Sequence, residues 1–376
     1  MTGLSEHRSI SAALLRIVTG AVIVLVLLAC DNGQPDTLAD NGEVMLTLRI
    51  SLPTATDGST ATRAITSNEE NAIDIAQLKV LVFKASGSTE TFSYEAPQVQ
   101  LLGGKYMVTL KQSLAGEKYR LAVIANTGKK LPVIPDNTPK SDVLKMITFD
   151  AAGIWNATGT TSYSRFPMWG ETAAAQAITP ATSLGNITLL RALARIDVGC
   201  ALSGETAAGL SGFTLKTVSV YRTKNKGYAA PVNGGTITGN VVASVSIPPD
   251  AGTNGALTYT CPDGKSLIRT IYVAETPQGS NRDNNVCLVV GGTYAGSTHY
   301  YRVDLTSGGS YIPLKRNYRY IVNIKAVSNT GYATEAAALT GDKTLVIATS
   351  VSAEAWGGQT AAGSGTITMP QSPDQW

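Results

Sequence analysis

The chain has 376 residues, 43% of them hydrophobic and 15% charged, with 37 glycines and only 5 phenylalanines. That mixture is too apolar for a disordered chain and too lightly charged for a coiled coil or a helical array. Lysine and arginine number 30 against 27 acidic residues, a net charge of +3 with no basic run, which excludes a nucleic-acid partner.

Arg8 precedes an apolar stretch, Ile10–Ala29, interrupted by Arg16 and a few polar residues, that closes on Leu27-Leu28-Ala29-Cys30. A charged start, an apolar core and small residues before a cut predict a secretory signal over residues 1–29. The cysteine directly after Leu-Leu-Ala is similar to the lipobox of bacterial lipoproteins, in which the thiol is acylated and becomes the first residue. Lipidation (palmitate) is therefore expected at Cys30. The competing reading is an uncut membrane anchor, since roughly 20 residues just span a bilayer. Arg16 inside the run and Cys30 at its edge favour the signal. Losing residues 1–29 removes Glu6, Arg8 and Arg16 and leaves a net charge of +2. His7 goes as well, and His299 alone builds neither a histidine zinc site nor ordinary histidine acid–base catalysis.

A polar tether, Asp31–Glu43, leads to a strictly alternating segment. Val44, Leu46, Leu48, Ile50 and Leu52 fall on one face of a predicted strand. Pro53 stops it, and the polar loop Thr54–Thr62 leads to Arg63-Ala64. Further strands are predicted at Leu78–Phe83, Tyr106–Leu110, Tyr119–Ala125 and Met146–Phe149. The second half adds Ile187–Cys200, Phe213–Tyr221, Thr236–Ile247, Leu267–Ala274, Val286–Val290, Tyr300–Leu305, Tyr318–Val327 and Thr344–Trp356. Short helices are expected at Asn71–Gln77 and at Thr334–Leu339, the second capped by Thr334. Many short strands punctuated by turn residues predict an all-β chain of sandwiches, and its length suggests two domains. Ala173–Gly185, rich in small residues and without periodicity, marks the boundary. The N-terminal sandwich is then 64–185, the C-terminal sandwich 186–356, and 357–376 a Gly/Ser/Thr-rich tail. Ile367 and Met369, two residues apart, are the tail's weak strand signal.

No catalytic signature survives inspection. Asp263-Gly264-Lys265-Ser266 ends like a phosphate loop, but Tyr259 stands where its first glycine is required. Gly103-Gly104-Lys105 reads as a hairpin turn. There is no GxSxG, HExxH or EF-hand pattern. No catalytic residue, cofactor or metal ligand is assigned, and the chain is read as a non-enzyme. Cys200, Cys261 and Cys287 lack CxxC spacing. One disulfide with a free thiol, or three buried small apolar side chains, both fit. Tyr294, Tyr300, Tyr301 and Tyr311 offer faces for a sugar but read more simply as strand residues with polar tips.

Phe166-Pro167-Met168-Trp169-Gly170-Glu171, followed by Thr188-Leu189-Leu190-Arg191-Ala192-Leu193-Ala194-Arg195-Ile196-Asp197-Val198, resembles the junction of the fimbrillins, the type V pilus subunits of Bacteroidales. Arg316-Asn317-Tyr318-Arg319-Tyr320-Ile321-Val322-Asn323-Ile324-Lys325, then Gly331-Tyr332-Ala333-Thr334-Glu335-Ala336, resembles that family's C-terminal signature, as does a last strand closing on Ala355-Trp356. With the lipobox and Thr62-Arg63-Ala64, the similarity spans nearly all of the mature chain. The resemblance implies two tandem transthyretin-like β-sandwich domains with few short helices. It implies export as a lipoprotein to the outer membrane and cell surface, and assembly into a fimbrium that supports adhesion to a host or bacterial surface ligand. It further implies that an arginine-specific protease cuts between Arg63 and Ala64, removing residues 30–63 with the first strand. A strand from another pilus subunit, of the same or a related kind, then fills the groove. The tail, with Ile367 and Met369, is the expected donor.

The residues agree with that physics. Arg63 follows a loop without large apolar side chains, the kind of tip where proteases nick. A vacated groove exposes sheet-edge amides and the slot for alternating side chains, and another chain refills it by β-augmentation. A head-to-tail contact of this kind propagates as a fibre. Three alternatives stand beside a stalk subunit: a tip or accessory subunit, an anchor that keeps its first strand, and an uncleaved surface lipoprotein that binds glycans.

Overall fold

The alternating and continuous apolar runs build four principal sheets arranged as two facing pairs. The computed structural model describes residues 38–39, 42–53, 67–155, 165–202, 207–232, 242, 244–341, 347–356 and 369–370. The first half contributes β1 (Glu43–Ser51), β2 (Lys79–Ser86), β3 (Thr89–Glu95), β4 (Val99–Leu102), β5 (Lys105–Lys111), β6 (Lys118–Ala125), β7 (Met168–Glu171) and β8 (Asn186–Thr188). The second contributes β9 (Leu193–Cys200), β10 (Thr214–Tyr221), β11 (Leu257–Thr260), β12 (Ser266–Ala274), β13 (Cys287–Tyr294), β14 (Ser297–Asp304), β15 (Tyr318–Val327) and β16 (Ile347–Ala355). The helices are short: α1 (Ser67–Glu70), α2 (Lys140–Met146) and α3 (Glu335–Thr340). The described chain is mostly strand, as the sequence predicts.

One sheet runs Leu38–Ala39, β1, β5, β4, with β8 parallel to the far end of β1. It faces the antiparallel sheet β7-β6-β2-β3, and the pair encloses Val44, Leu46, Leu48, Val80, Val82, Val108, Leu110, Leu121 and Val123. In the second half, β12-β9-β15-β16 faces β11-β10-β13-β14 across Ile196, Val198, Val218, Val220, Leu288, Val290 and Val322. A third cluster explains the continuous apolar runs of β2 and β6. Their second face, with Leu81, Phe83, Ala122 and Ile124, is covered by Val143 and Leu144 of α2 and by Tyr228–Val232 from the second half.

Several expectations meet the structure closely. β15 has the predicted ends, and Thr334 caps α3 by accepting a hydrogen bond from Ala337 N at 3.2 Å. Others are corrected. Met146–Phe149 is not one strand: Met146 ends α2, and only Thr148–Asp150 is strand. Ile187–Cys200 is broken, because the chain changes sheets within it. β8 pairs with β1, Leu190–Arg191 with β7, and β9 with β12 and β15. Asn71–Gln77 holds only a 3-10 turn, Ile75–Gln77, capped by Asp74. Of Thr236–Ile247, the described residues 242 and 244–247 are not strand, and the others lie outside the described residues. β3, β4, β7 and β11 were not anticipated; β3 in particular is too polar to show an apolar face.

Candidate functional site

Five apolar residues of the first strand seat it in the first core. Val44, Leu46 and Leu48 are each 1% exposed, while Ile50 and Leu52 are half-buried against the same cluster. Thr47 and Arg49 face outward. Full burial of an aliphatic side chain contributes about 1.5–3 kcal/mol, so the five together represent on the order of 10 kcal/mol.

The two flanks of β1 differ. β5 pairs with it continuously, from Glu43 opposite Lys111 to Leu48 opposite Tyr106. On the other flank Leu38–Ala39 reaches only Val44 and Glu43, and β8 only Arg49–Ser51. Among the described residues, Met45–Leu48 therefore have no ladder partner on that side. Apolar side chains hold the strand more than a double ladder does.

Its C-terminal end is tied in more firmly. Leu189 N donates to Ser51 O at 2.9 Å, and Asn186 Nδ2 donates to Ser51 Oγ at 2.7 Å. The Ser51 and Thr188 hydroxyls lie 3.1 Å apart. Arg191 Nη2 then donates to Pro53 O at 2.9 Å.

Arg191 belongs to a buried polar network where the two halves meet. Leu193, Arg195 and Asp197 lie on one side of β9, whereas Ala194, Ile196 and Val198 enter the second core. Arg195 is fully buried and grips Asp197 with two bonds, Nε to Oδ1 at 2.9 Å and Nη2 to Oδ2 at 2.6 Å. Its Nη1 reaches Glu70 Oε1 at 3.2 Å. Glu70, at the end of α1, also accepts from Tyr272 OH at 2.8 Å and from Trp356 Nε1 at 3.4 Å. Asp197 takes two further bonds, from Arg269 N at 2.8 Å and Arg319 Nε at 2.7 Å. The Trp356 ring stacks on Tyr272 and lies 4.7 Å beneath the Arg191 guanidinium. Burial lowers the Arg191 pKa to about 10. Burial also opposes the charge on Arg195, but Asp197 outweighs it and holds that guanidinium above its ordinary value. The network clamps the end of the first strand and the join between the halves.

The other predicted site residues fall differently. Cys30, Arg63, Ala64 and Ile367 lie outside the described residues. Met369–Pro370 pairs antiparallel with Val351 and Ser350 at the edge of β16. Cys200, Cys261 and Cys287 are unpaired thiols; Cys200 is half-buried, and in the buried pair Cys261 Sγ donates to Asp263 Oδ1 at 3.1 Å while Cys287 Sγ accepts from Arg222 Nη1 at 3.2 Å. Tyr301 is buried edge-on to Phe213 and donates to Asn329 O, so it offers no face to a sugar. Glu70, Asn71 and Asn317 were not anticipated at the site. Their signal is faint, because a glutamate in a polar stretch carries no mark of burial. Arg191, Arg195 and Asp197 do carry one: charges of one parity inside an otherwise apolar run.

A sequence model of the family described as fimbrillin-A associated anchor proteins Mfa1 and Mfa2 matches residues 38–357. No curated protein matches the chain. Among solved structures, the tip fimbrial protein Mfa3 from Porphyromonas gingivalis, with C-terminal truncation, is similar at 16% identity and a TM-score of 0.44, covering 77% of this chain and 96% of that one. A fimbrial assembly protein from Parabacteroides distasonis ATCC 8503 is similar at 15% identity and a TM-score of 0.42, covering 83% of this chain and 96% of that one.

Proposed function

The chain belongs to the family of fimbrillin-A associated anchor proteins Mfa1 and Mfa2, and from that premise we propose that it is a structural, non-catalytic fimbrial subunit that polymerises by strand exchange at the seat of β1. Export proceeds through the signal over residues 1–29, with lipid on Cys30 holding the precursor at the outer membrane. An arginine-specific protease cuts after Arg63, and residues 30–63 leave with β1. A strand of another subunit, supplied by a tail such as 357–376 with Ile367 and Met369, takes its place.

What supports this reading is the seat itself. β1 puts its apolar residues into the core, pairs with β5 over Glu43–Leu48, and on its other flank leaves Met45–Leu48 without a ladder partner among the described residues. A strand held that way is separable from its neighbours, and its loss opens a groove of on the order of 10 kcal/mol to any matching strand. The fibre presents its surface to a host or bacterial ligand and so supports adhesion.

One observation favours a second position in the fibre. Arg191 ties Pro53, ahead of Arg63, to the body of the chain, which suits an anchor subunit that keeps its first strand and its lipid. N-terminal sequencing and intact mass of surface material separate the two. A start at Ala64 is expected for a polymerising subunit. A lipidated start at Cys30 throughout overturns cleavage and leaves the anchor or an uncleaved glycan-binding lipoprotein.

A further inference from the structure

The alternation of β1 leaves one property of the groove undetermined. A strand shifted by one residue turns its apolar face to water, but a shift by two restores it. Side-chain parity alone therefore allows several registers, spaced by about 6.8 Å along the strand. Something else must select among them.

Arg191 sits where the strand ends. Its side chain is fully buried and lies against the Trp356 ring. It donates to four oxygens: Pro53 O at 2.9 Å, Asn317 Oδ1 at 3.1 Å, Glu70 O at 3.3 Å, and Asn71 Oδ1. Glu70, Asn71 and Asn317 remain with the body of the chain whatever happens at Arg63. Pro53 O alone belongs to the segment ahead of it. When that segment leaves, a buried guanidinium N–H loses its acceptor, and a buried donor without a partner is costly. A carbonyl arriving at the same point restores the bond, and since same-facing carbonyls recur every two residues, only a strand that stops short of that point leaves it unmade.

We infer, on the exchange reading above, that Arg191 is the positioning residue that receives the last carbonyl of whichever strand fills the groove, and thereby excludes registers in which that strand stops short of the place of Pro53. The geometry admits an occupant that runs antiparallel to β5 and parallel to β8 and ends on a carbonyl at the place of Pro53. Asn186 and Leu189 assist one turn of the ladder earlier, at the place of Ser51.

The test uses the full chain with a site-specific protease sequence placed within residues 54–66, cut so that the first segment is held without a covalent link. Two fluorescent peptides compete to replace it. One spans residues 43–53 as the Pro53 amide; the other spans 43–52 as the pyrrolidide, which keeps the proline ring but lacks the final carbonyl. The amide is expected to bind about tenfold more tightly, and Arg191→Met to erase that ratio whatever its effect on overall affinity. Affinities within about twofold of each other on the unaltered chain overturn the assignment to Arg191 while leaving exchange intact. A ratio that survives in Arg191→Met overturns it too. Entry of neither peptide overturns exchange, and this assignment with it. Should Arg191→Met not fold, the two peptides on the unaltered chain decide alone.

Discussion

Glu70 has 1% of its surface exposed, and its carboxyl is accommodated there because Arg195, Tyr272 and Trp356 all donate to it. Removing one partner from such a group strands the others, at a cost of about 3–5 kcal/mol. Glu70→Gln is accordingly expected to lower the unfolding free energy by about 3 kcal/mol in urea titration; no change would mean that the network is energetically idle. The cysteines make a second case. Burial pushes the thiols of Cys200 and Cys261 up to about 11 and about 12, and that of Cys287 upward. They should resist iodoacetamide at neutral pH in the folded protein. In denaturant, processed material should yield three reactive thiols, and unlipidated precursor a fourth from Cys30. Glu90 supplies the pH dependence. Burial opposes its charge, but hydrogen bonds from Arg120 and Lys140 outweigh that and lower its pKa below 4.5. A carboxylate whose pKa falls on folding stabilises the fold above its unfolded pKa and loses that contribution as pH drops through the folded value. Glu90→Gln should therefore flatten the decline of the melting temperature between neutral pH and about pH 3.

Among the elements, β1 shows most directly how sequence becomes a site. Its five same-parity apolar residues, legible at sight, are the ones that meet the first core. Leu46→Ala is expected to cost about 3 kcal/mol, and Leu46→Asp to release the strand from its seat, seen as faster amide exchange over residues 43–51 with β15 protected. Thr47→Asp, on the outward face, should leave both unchanged. β9 is different in kind. Its run from Leu193 to Val198 reads as a core strand, yet the Arg195–Asp197 side faces Glu70 and Trp356 across the join between the halves. Period and composition identify such a strand but do not say what lies over its charged face. α2 is illegible in the sequence for a related reason. Two turns with Val143 and Leu144 as their buried residues carry too little periodicity to compete with a strand pattern.

At the scale of the molecule, the halves interlock. Tyr228–Val232 crosses from the second half to cover the outer face of β2 and β6. Arg316 holds that crossing by donating to Tyr228 O and Ala229 O at 2.9 Å each while paired with Glu275. Tyr272, Ala274 and Trp356 likewise join the first core. β8 and Leu190–Arg191, beyond the compositional boundary at residue 185, hydrogen-bond with first-half strands. Such sharing predicts one cooperative calorimetric transition rather than two, and no soluble folded product from residues 64–185 alone. Two resolved transitions would instead mean that the crossing segments contribute little.

The amino-acid sequence by itself determined the all-β class, the alternation of β1, the ends of β15 and the Thr334 cap, because each depends on residues adjacent in the chain. It also carried the family, through motifs whose order and spacing survive in one dimension. Only the tertiary structure decided that Ile187–Cys200 is divided among three sheets, that among the described residues Met45–Leu48 of β1 lack a ladder partner on one flank, and that Arg191 joins Pro53 to Glu70 and Asn317. The Arg191 contacts join residues more than a hundred positions apart. A residue's own type says how much it costs to bury; which partner offsets that cost is settled by how the sheets close on one another.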